Sequence, residues 1–292
     1  ESLAELDRLN RAAGALGKVA PVSLRVNLDV DTETHPYIAT GLKENKFGIA
    51  FEDALTGYGK AAAMAHLDVV GIDCHIGSQI IGMPPFIDAL DRLLELVWKI
   101  EAAGIALQHI DIGGGLGIRY RDEIPPSAQE YADNVSKYFA GTAYELILEP
   151  GRCIVGNAGA LLTRLEFLKE TPERNFAVVD AAMNDLLRPS LYRAWHEILP
   201  LTEQKVEAEK QYDIVGPICE TGDFLGKERK LTLQQGDLLA VLSAGAYGFT
   251  MASTYNSRPK VCEIMVDGDE MHEIRRRETI EILMSGESLL PD

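Results

Sequence analysis

Through its first half the chain alternates between two hydrophobic periods, and that alternation limits the fold more than any other feature. VSLRVNL (22–28), VVGIDCHIG (69–77), IALQHIDIGGG (105–115) and YELILEPGR (144–152) are short apolar runs, of the kind a parallel sheet buries on both faces. Between them, residues 51–64 and 127–139 read as helices. Pro84 and Pro85 open a third helix, whose apolar face runs Phe86, Leu90, Leu93, Leu94, Val97 and Ile100. Each strand ends in a polar or glycine-rich turn, at the edge where a (β/α)8 barrel places its site. An open doubly wound sheet, with a ligand at its switch point, is the other architecture this pattern allows.

After about residue 158 the texture changes. ALLTRLEFL, FAVVDAA, YDIVGPICE, DLLAVLSAGAYG, KVCEIMV and HEIRRR follow one another closely, separated by glycine and proline turns, as in a mainly antiparallel β domain. The expected organisation is therefore an alternating α/β domain over 1–157 and a β domain over 158–292. The chain opens on a capping box, Ser2-x-x-Glu5, with Leu3, Leu6, Leu9, Ala13 and Leu16 at helical spacing. It thus reads as entered partway through a fold. A complete barrel needs about 250 residues; if the first domain is one, on the order of 100 are expected to be missing at the N-terminus.

The formal net charge is −17, from 45 acids against 28 bases. A surface of that sign repels nucleic acid and anionic membrane, and neither is an expected partner. A small anion is not excluded, because a few arginines and helix N-termini can make a local positive pocket. Cys74, Cys153, Cys219 and Cys262 contain no CxxC pair and do not form a disulfide framework. No apolar run reaches the ~18 residues of a membrane span, and no signal-like segment opens the chain. A reducing, cytoplasmic home is expected.

Six motifs carry polar chemistry, and each has a structural alternative. Gly113-Gly114-Gly115-Leu116-Gly117 closes a strand and can bring backbone N–H groups to a phosphate; a tight turn uses the same residues. Glu149-Pro150-Gly151-Arg152 offers a carboxylate to a cationic ring nitrogen and a guanidinium to an anion, or else pairs with itself. In His75-Ile76-Gly77-Ser78-Gln79 the imidazole can stack on a planar ring and Ser78 can bond a phosphate. The alternative is a hydrogen-bonded structural histidine. No partner stands at metal-ligand spacing, so no metal is expected. Cys219-Glu220-Thr221-Gly222-Asp223 sets a thiol beside acids on a strand, as a proton donor or an amine-binding cluster, or as a buried cysteine next to solvated carboxylates. In Ala244-Gly245-Ala246-Tyr247-Gly248 the tyrosine can offer its hydroxyl to a ligand, or the whole can be a sheet turn. Met183-Asn184-Asp185 precedes Arg188 and Tyr192, where Arg188 can clamp a carboxylate or lie solvated.

In this order HIGSQ, DIGGGLG, EPGR, DAAMNDLLRP, CETGDFLGKER, AGAYG and RRRET…GESLLP, with the run 25–49 and YNSRP, resemble the diaminopimelate decarboxylases over essentially the whole chain. The resemblance implies an incomplete (β/α)8 TIM-type barrel followed by a mainly antiparallel β domain. It also implies pyridoxal 5'-phosphate as cofactor, a small amino-acid substrate, and a homodimer with shared active sites. Glu149 would face the protonated pyridine nitrogen and His75 the ring. Ser78, the glycines Gly113, Gly114 and Gly115, and Gly151 with Arg152 would hold the phosphate. Arg152, Arg188 and Tyr192 would bind substrate carboxylates, Glu220 the distal ammonium group, and Tyr247 both cofactor and substrate. Cys219, from the partner subunit, would return a proton to the carbon that loses CO2. The implied reaction is decarboxylation of meso-diaminopimelate to L-lysine.

One departure matters. The family's imine-forming lysine lies in a Phe-Ala-Val-Lys-Ala-Asn-like motif, and no segment here matches it; Lys43 and Lys46, in GLKENKFG, belong to a different motif. Leu28 stands where many relatives have proline, a smaller difference to which we attach no role. The chain by itself is therefore expected not to turn over substrate. An imine absorbance on adding pyridoxal phosphate, trapped on lysine by borohydride, would contradict this. The alternatives are an ornithine, arginine or carboxynorspermidine decarboxylase, or a non-catalytic relative that dimerises with and regulates an active enzyme. Arg188 speaks against the simple diamino acids, since a second carboxylate gives it a purpose.

Overall fold

The computed structural model describes residues 1–30, 46–201 and 208–291; the run 31–45, with Lys43, lies outside the described residues. The chain divides into two units, Glu1–Ile154 and Val155–Asp292.

The first unit alternates helix and strand. Helix α1 (Leu3–Ala15) starts at Ser2, whose N–H donates to Glu5 Oε2 at 2.8 Å, half of the capping box. Then follow β1 (Ala20–Asn27), β2 (Ile49–Ala50), α2 (Phe51–Ala62), β3 (Leu67–Asp73), α3 (Pro84–Ala102), β4 (His109–Asp111), α4 (Ala128–Phe139), β5 (Glu145–Ile147) and the single turn α5 (Arg152–Val155). The strands pair in the order β2-β1-β3-β4-β5, every pair parallel, as in a (β/α) barrel. The periodicity of α3 holds at Phe86, Leu90, Leu93, Val97 and Ile100, all at most 4% exposed, whereas Leu94 is half-buried and Leu96, outside the expected face, is 2% exposed. Each such side chain contributes about 1.5–3 kcal/mol by leaving water. Tyr58 of α2 lies among them, its hydroxyl donating to the Gly71 carbonyl at 2.9 Å.

The strands are shorter than their apolar runs. Residues 74–77, 112–115 and 148–151 leave the ladder and form the loops at its carboxyl edge. The reason is local: Gly113 (φ 69°) and Gly115 (φ 109°) take conformations no strand uses. Strand β5 ends at Ile147, and Arg152 begins a helical turn instead of closing a strand.

The second unit holds β6 (Leu161–Glu170), β7 (Asn175–Val179), α6 (Arg188–Tyr192), β8 (Ile198–Pro200), β9 (Lys210–Val215), β10 (Phe224–Leu231), β11 (Leu238–Val241), β12 (Glu263–Asp267), β13 (Glu270–Arg275) and α7 (Ile280–Leu283). Six strands form one sheet, β10-β9-β7-β6-β11-β8, antiparallel except where β7 runs alongside β9. Leu165, Val179, Ile198, Ile214, Leu225, Leu239 and Val241 make its core. Strands β12 and β13 form a separate hairpin.

Candidate active site

Three loops meet at the carboxyl edge of β3, β4 and β5, and backbone bonds join them. The loop 75–80 and the glycine loop zip together: Ile80 N–H donates to Gly115 O at 2.9 Å and Gly117 N–H to Ile80 O at 3.0 Å. Gln79 completes the seam through both ends of its amide, donating to Ile118 O at 2.6 Å and accepting from Ile118 N–H at 3.1 Å. The glycine loop is bound to the third loop by Glu149 N–H on Gly113 O at 2.8 Å. At Gly114 a side chain would force the two loops apart, because a Cβ would stand 2.1 Å from the Glu149 carbonyl oxygen. The glycine run thus serves as a tight junction of loops, and the N–H groups of Gly113, Gly114 and Gly117 donate within it, to Asp111, His75 and Ile80, so in this arrangement Gly113 and Gly114 do not turn their N–H groups to a phosphate as expected.

His75 is half-buried, and its Nδ1 accepts the Gly114 N–H at 3.1 Å. A ring nitrogen that accepts carries no proton, so the imidazole is neutral with its hydrogen on Nε2. Burial first, and then the Arg25 guanidinium, hold its pKa below the ordinary histidine value. Glu149 is exposed, yet partial burial, and then the Asp111 carboxylate, push its pKa up while Arg25 pulls it down. Asp73, at the end of β3, is raised to about 7 by burial, then by Asp111 and also by Glu149. Its Oδ1 is buried without a hydrogen-bond partner. Three carboxylates thus crowd one mouth, and a cationic ring N–H is the kind of group that relieves them. Together with the neutral imidazole and the backbone cradle, this donor set fits pyridoxal phosphate. Ser78 lies in the same loop as His75, half-buried. Gly151 is exposed, and Arg152 is buried with Nη1 donating to the Tyr120 hydroxyl at 2.6 Å.

In the second unit Arg188 opens α6 and is 5% exposed. It is not a solvated arginine: its Nη1 lies 2.9 Å from His196 Nε2. His196 Nδ1 lies 2.8 Å from the Leu242 carbonyl, which can only accept, so the histidine proton sits on Nδ1 and Nε2 accepts from the guanidinium. Tyr192 is half-buried. Cys219 and Glu220 are exposed and lie in the turn between β9 and β10, which corrects the expectation of a strand. The two acids of that motif also part company. Glu220 Oε1 accepts the Tyr255 hydroxyl at 2.5 Å. Asp223 turns inward, accepting from Met183 N–H at 2.7 Å and Ile218 N–H at 2.8 Å, and serves the fold. Asn184 and Asp185 are structural as well: Arg258 Nε donates to Asn184 Oδ1 at 3.0 Å, and Asp185 Oδ2 accepts the Ala182 N–H at 3.0 Å. Tyr247, 39% exposed, has a left-handed backbone (φ 59°), an uncommon conformation for a bulky residue. Its turn is packed tightly: a Cβ on Gly245 would stand 1.9 Å from Val155 O.

Asp111, Tyr120, His196 and Tyr255 escaped the motif reading. The signals were thin: Asp111 directly precedes the isoleucine before the glycines, and Tyr255 opens YNSRP.

Fold and mouth together define a class, the pyridoxal-dependent decarboxylases, whose pyridoxal binding domain matches residues 1–156. Diaminopimelate decarboxylase of Pseudomonas aeruginosa is 58% identical over 291 residues, covering all of this chain and 70% of its own length. That of Vibrio cholerae is 57% identical, covering all of this chain and 70% of its own length. The crystal structure of diaminopimelate decarboxylase from Helicobacter pylori complexed with L-lysine superposes with a TM-score of 0.92 at 40% identity, over 98% of this chain and 71% of the other. The chain belongs to the diaminopimelate decarboxylase family.

Proposed function

We propose that this chain provides the cofactor- and substrate-holding machinery for decarboxylating meso-2,6-diaminopimelate to L-lysine and CO2, the last step of lysine biosynthesis. One observation carries the reading: Gly113 and Gly114 bond both to Glu149 and to His75, so the two ring-facing side chains share one rigid mouth. Pyridoxal phosphate supplies the electron sink for the charge left when CO2 departs. Everything else falls to the chain's residues.

Glu149 keeps the ring nitrogen protonated, and the neighbouring carboxylates favour a cation there. His75, neutral, would face the ring without competing for that charge. Ser78, Gly115, Gly151 and Arg152 hold the phosphate end. Arg188, fixed by His196, takes the substrate's distal carboxylate. Glu220, oriented by Tyr255, takes the distal ammonium group. Tyr192 and Tyr247 line the substrate, and Cys219 delivers the proton to carbon. The assignment of Cys219 to a partner's site makes the working form a homodimer. No described helix is long and apolar enough to cross a membrane, and we place the enzyme in the cytoplasm.

Two titrations test this. Glu149→Gln should weaken pyridoxal phosphate binding about 10- to 100-fold, the range of a charge-assisted bond. With pyridoxal phosphate present, meso-diaminopimelate should bind at least about tenfold more tightly than ornithine, and Arg188→Met should erase that preference. Unchanged cofactor affinity in the first, or no preference in the second, sinks the corresponding half.

A further inference from the structure

Asp111 ends β4, and above it enters only through its charge. Its Oδ1 accepts the Gly113 N–H at 2.8 Å, holding that glycine at φ 69°. From this turn bonds leave in two directions. The Gly113 carbonyl receives Glu149 N–H at 2.8 Å, and the next peptide directs Gly114 N–H onto His75 Nδ1 at 3.1 Å. The Asp111 carbonyl meanwhile accepts Cys74 N–H at 3.0 Å, one residue before His75. A single carboxylate therefore sets the turn to which both ring-facing residues are tied.

We propose that Asp111 is a positioning residue for the cofactor ring, fixing the tautomer and plane of His75 and the approach of the Glu149 carboxyl group. The inference rests on the reading of His75 and Glu149 as ring-facing groups. A structural aspartate could cap this turn without consequence for either, so its charge and its acceptor oxygen must be tested apart. The charged groups facing the pair are Arg25 of β1, Asp73 of β3 and Asp111 itself. Arg25 lowers the proton affinity of His75 and of Glu149, and Asp111 raises both.

The test is histidine 15N NMR on the whole chain, with the His75 signals assigned by their loss in His75→Gln. In the wild type we expect the Nε2–H tautomer and a titration midpoint below that of an ordinary histidine. Asp111→Asn keeps an oxygen for Gly113 N–H but no charge, so the tautomer should persist and the midpoint should fall further. Asp111→Ala removes the acceptor, so both tautomers should appear. It should also bind pyridoxine 5'-phosphate, which cannot form an imine, about tenfold more weakly than Asp111→Asn. A single tautomer retained in Asp111→Ala, or an unmoved midpoint in Asp111→Asn, overturns the proposal. Should the alanine variant unfold by circular dichroism, Asp111→Glu, which keeps the charge but displaces the acceptor, decides by the same tautomer readout. If pyridoxine 5'-phosphate leaves the wild-type His75 signals unmoved, the cofactor reading fails, while the tautomer result still decides the role of Asp111.

Discussion

The two units hold their polar residues by different means. At the barrel mouth the positions of His75 and Glu149 are set by backbone groups: a Gly114 N–H on the imidazole, and a Gly113 carbonyl on the Glu149 amide. In the β unit the corresponding bonds are made by side chains, His196 on Arg188 and Tyr255 on Glu220. A backbone cradle is built by strand ends that must lie side by side in any case. A side-chain clamp exists only if two distant residues are both retained. The first arrangement suits a ring and a phosphate of fixed shape. The second lends itself to changing the substrate without rebuilding the mouth.

That contrast can be broken, and the largest effect is expected where backbone meets backbone. Gly114→Ala would press a methyl group to 2.1 Å from the Glu149 carbonyl oxygen, with no side chain free to move aside. We expect a loss of about 3 kcal/mol or more, read by urea melts. A near-neutral result means the loops are loosely joined. His196→Ala is the matching cut in the β unit. It takes an acceptor from a buried guanidinium and should cost about 1–3 kcal/mol, while leaving the NMR titration of His75 untouched. Movement of the His75 midpoint in that variant would mean the two regions are coupled more closely than their separate bonding suggests.

Asp73 gives a smaller effect with a definite sign. Its folded-state pKa, about 7, lies above that of an unfolded aspartate, about 4, so the folded protein binds this proton more tightly. Its contribution therefore favours folding below about pH 4 and is lost as pH rises to about 7. Asp73→Asn should exceed the parent's stability by about 1 kcal/mol at pH 8, after allowing for solvent screening, and lose that gain by pH 4. Urea midpoints at the two pH values check it, and a difference independent of pH refutes the assignment. Smallest of all, Tyr255→Phe should leave the melt unchanged, because the pair is exposed. Its effect should fall on diamine recognition through Glu220 alone.

Much of the mouth was legible in the sequence because its signals are local. A glycine run after an apolar strand, and EPGR after the next, mark strand ends by turn chemistry alone. The helix face from Leu90 to Ile100 follows from period. Strand length was overestimated for the same reason: apolar character continues into residues 74–77 and 112–115, whereas pairing stops where glycines leave the extended region. The acids of CETGD were beyond a local reading. Nothing in the motif says that Asp223 turns inward to the Met183 amide while Glu220 meets Tyr255, because those partners lie 40 and 35 residues away.

The sequence by itself determined the alternation of elements, the change of texture in the second half, the order of the motifs, and with them the family. Hydrophobic period and turn propensity act over a few residues, so they can be read from neighbours. Only the tertiary structure decided which polar group meets which. The Asp111 turn reaches His75 because β3 and β4 run parallel in one register, and Arg188 meets His196 because the fold buries both side chains together. A hydrogen bond needs about 3 Å and alignment, and pattern along the chain carries no such distance.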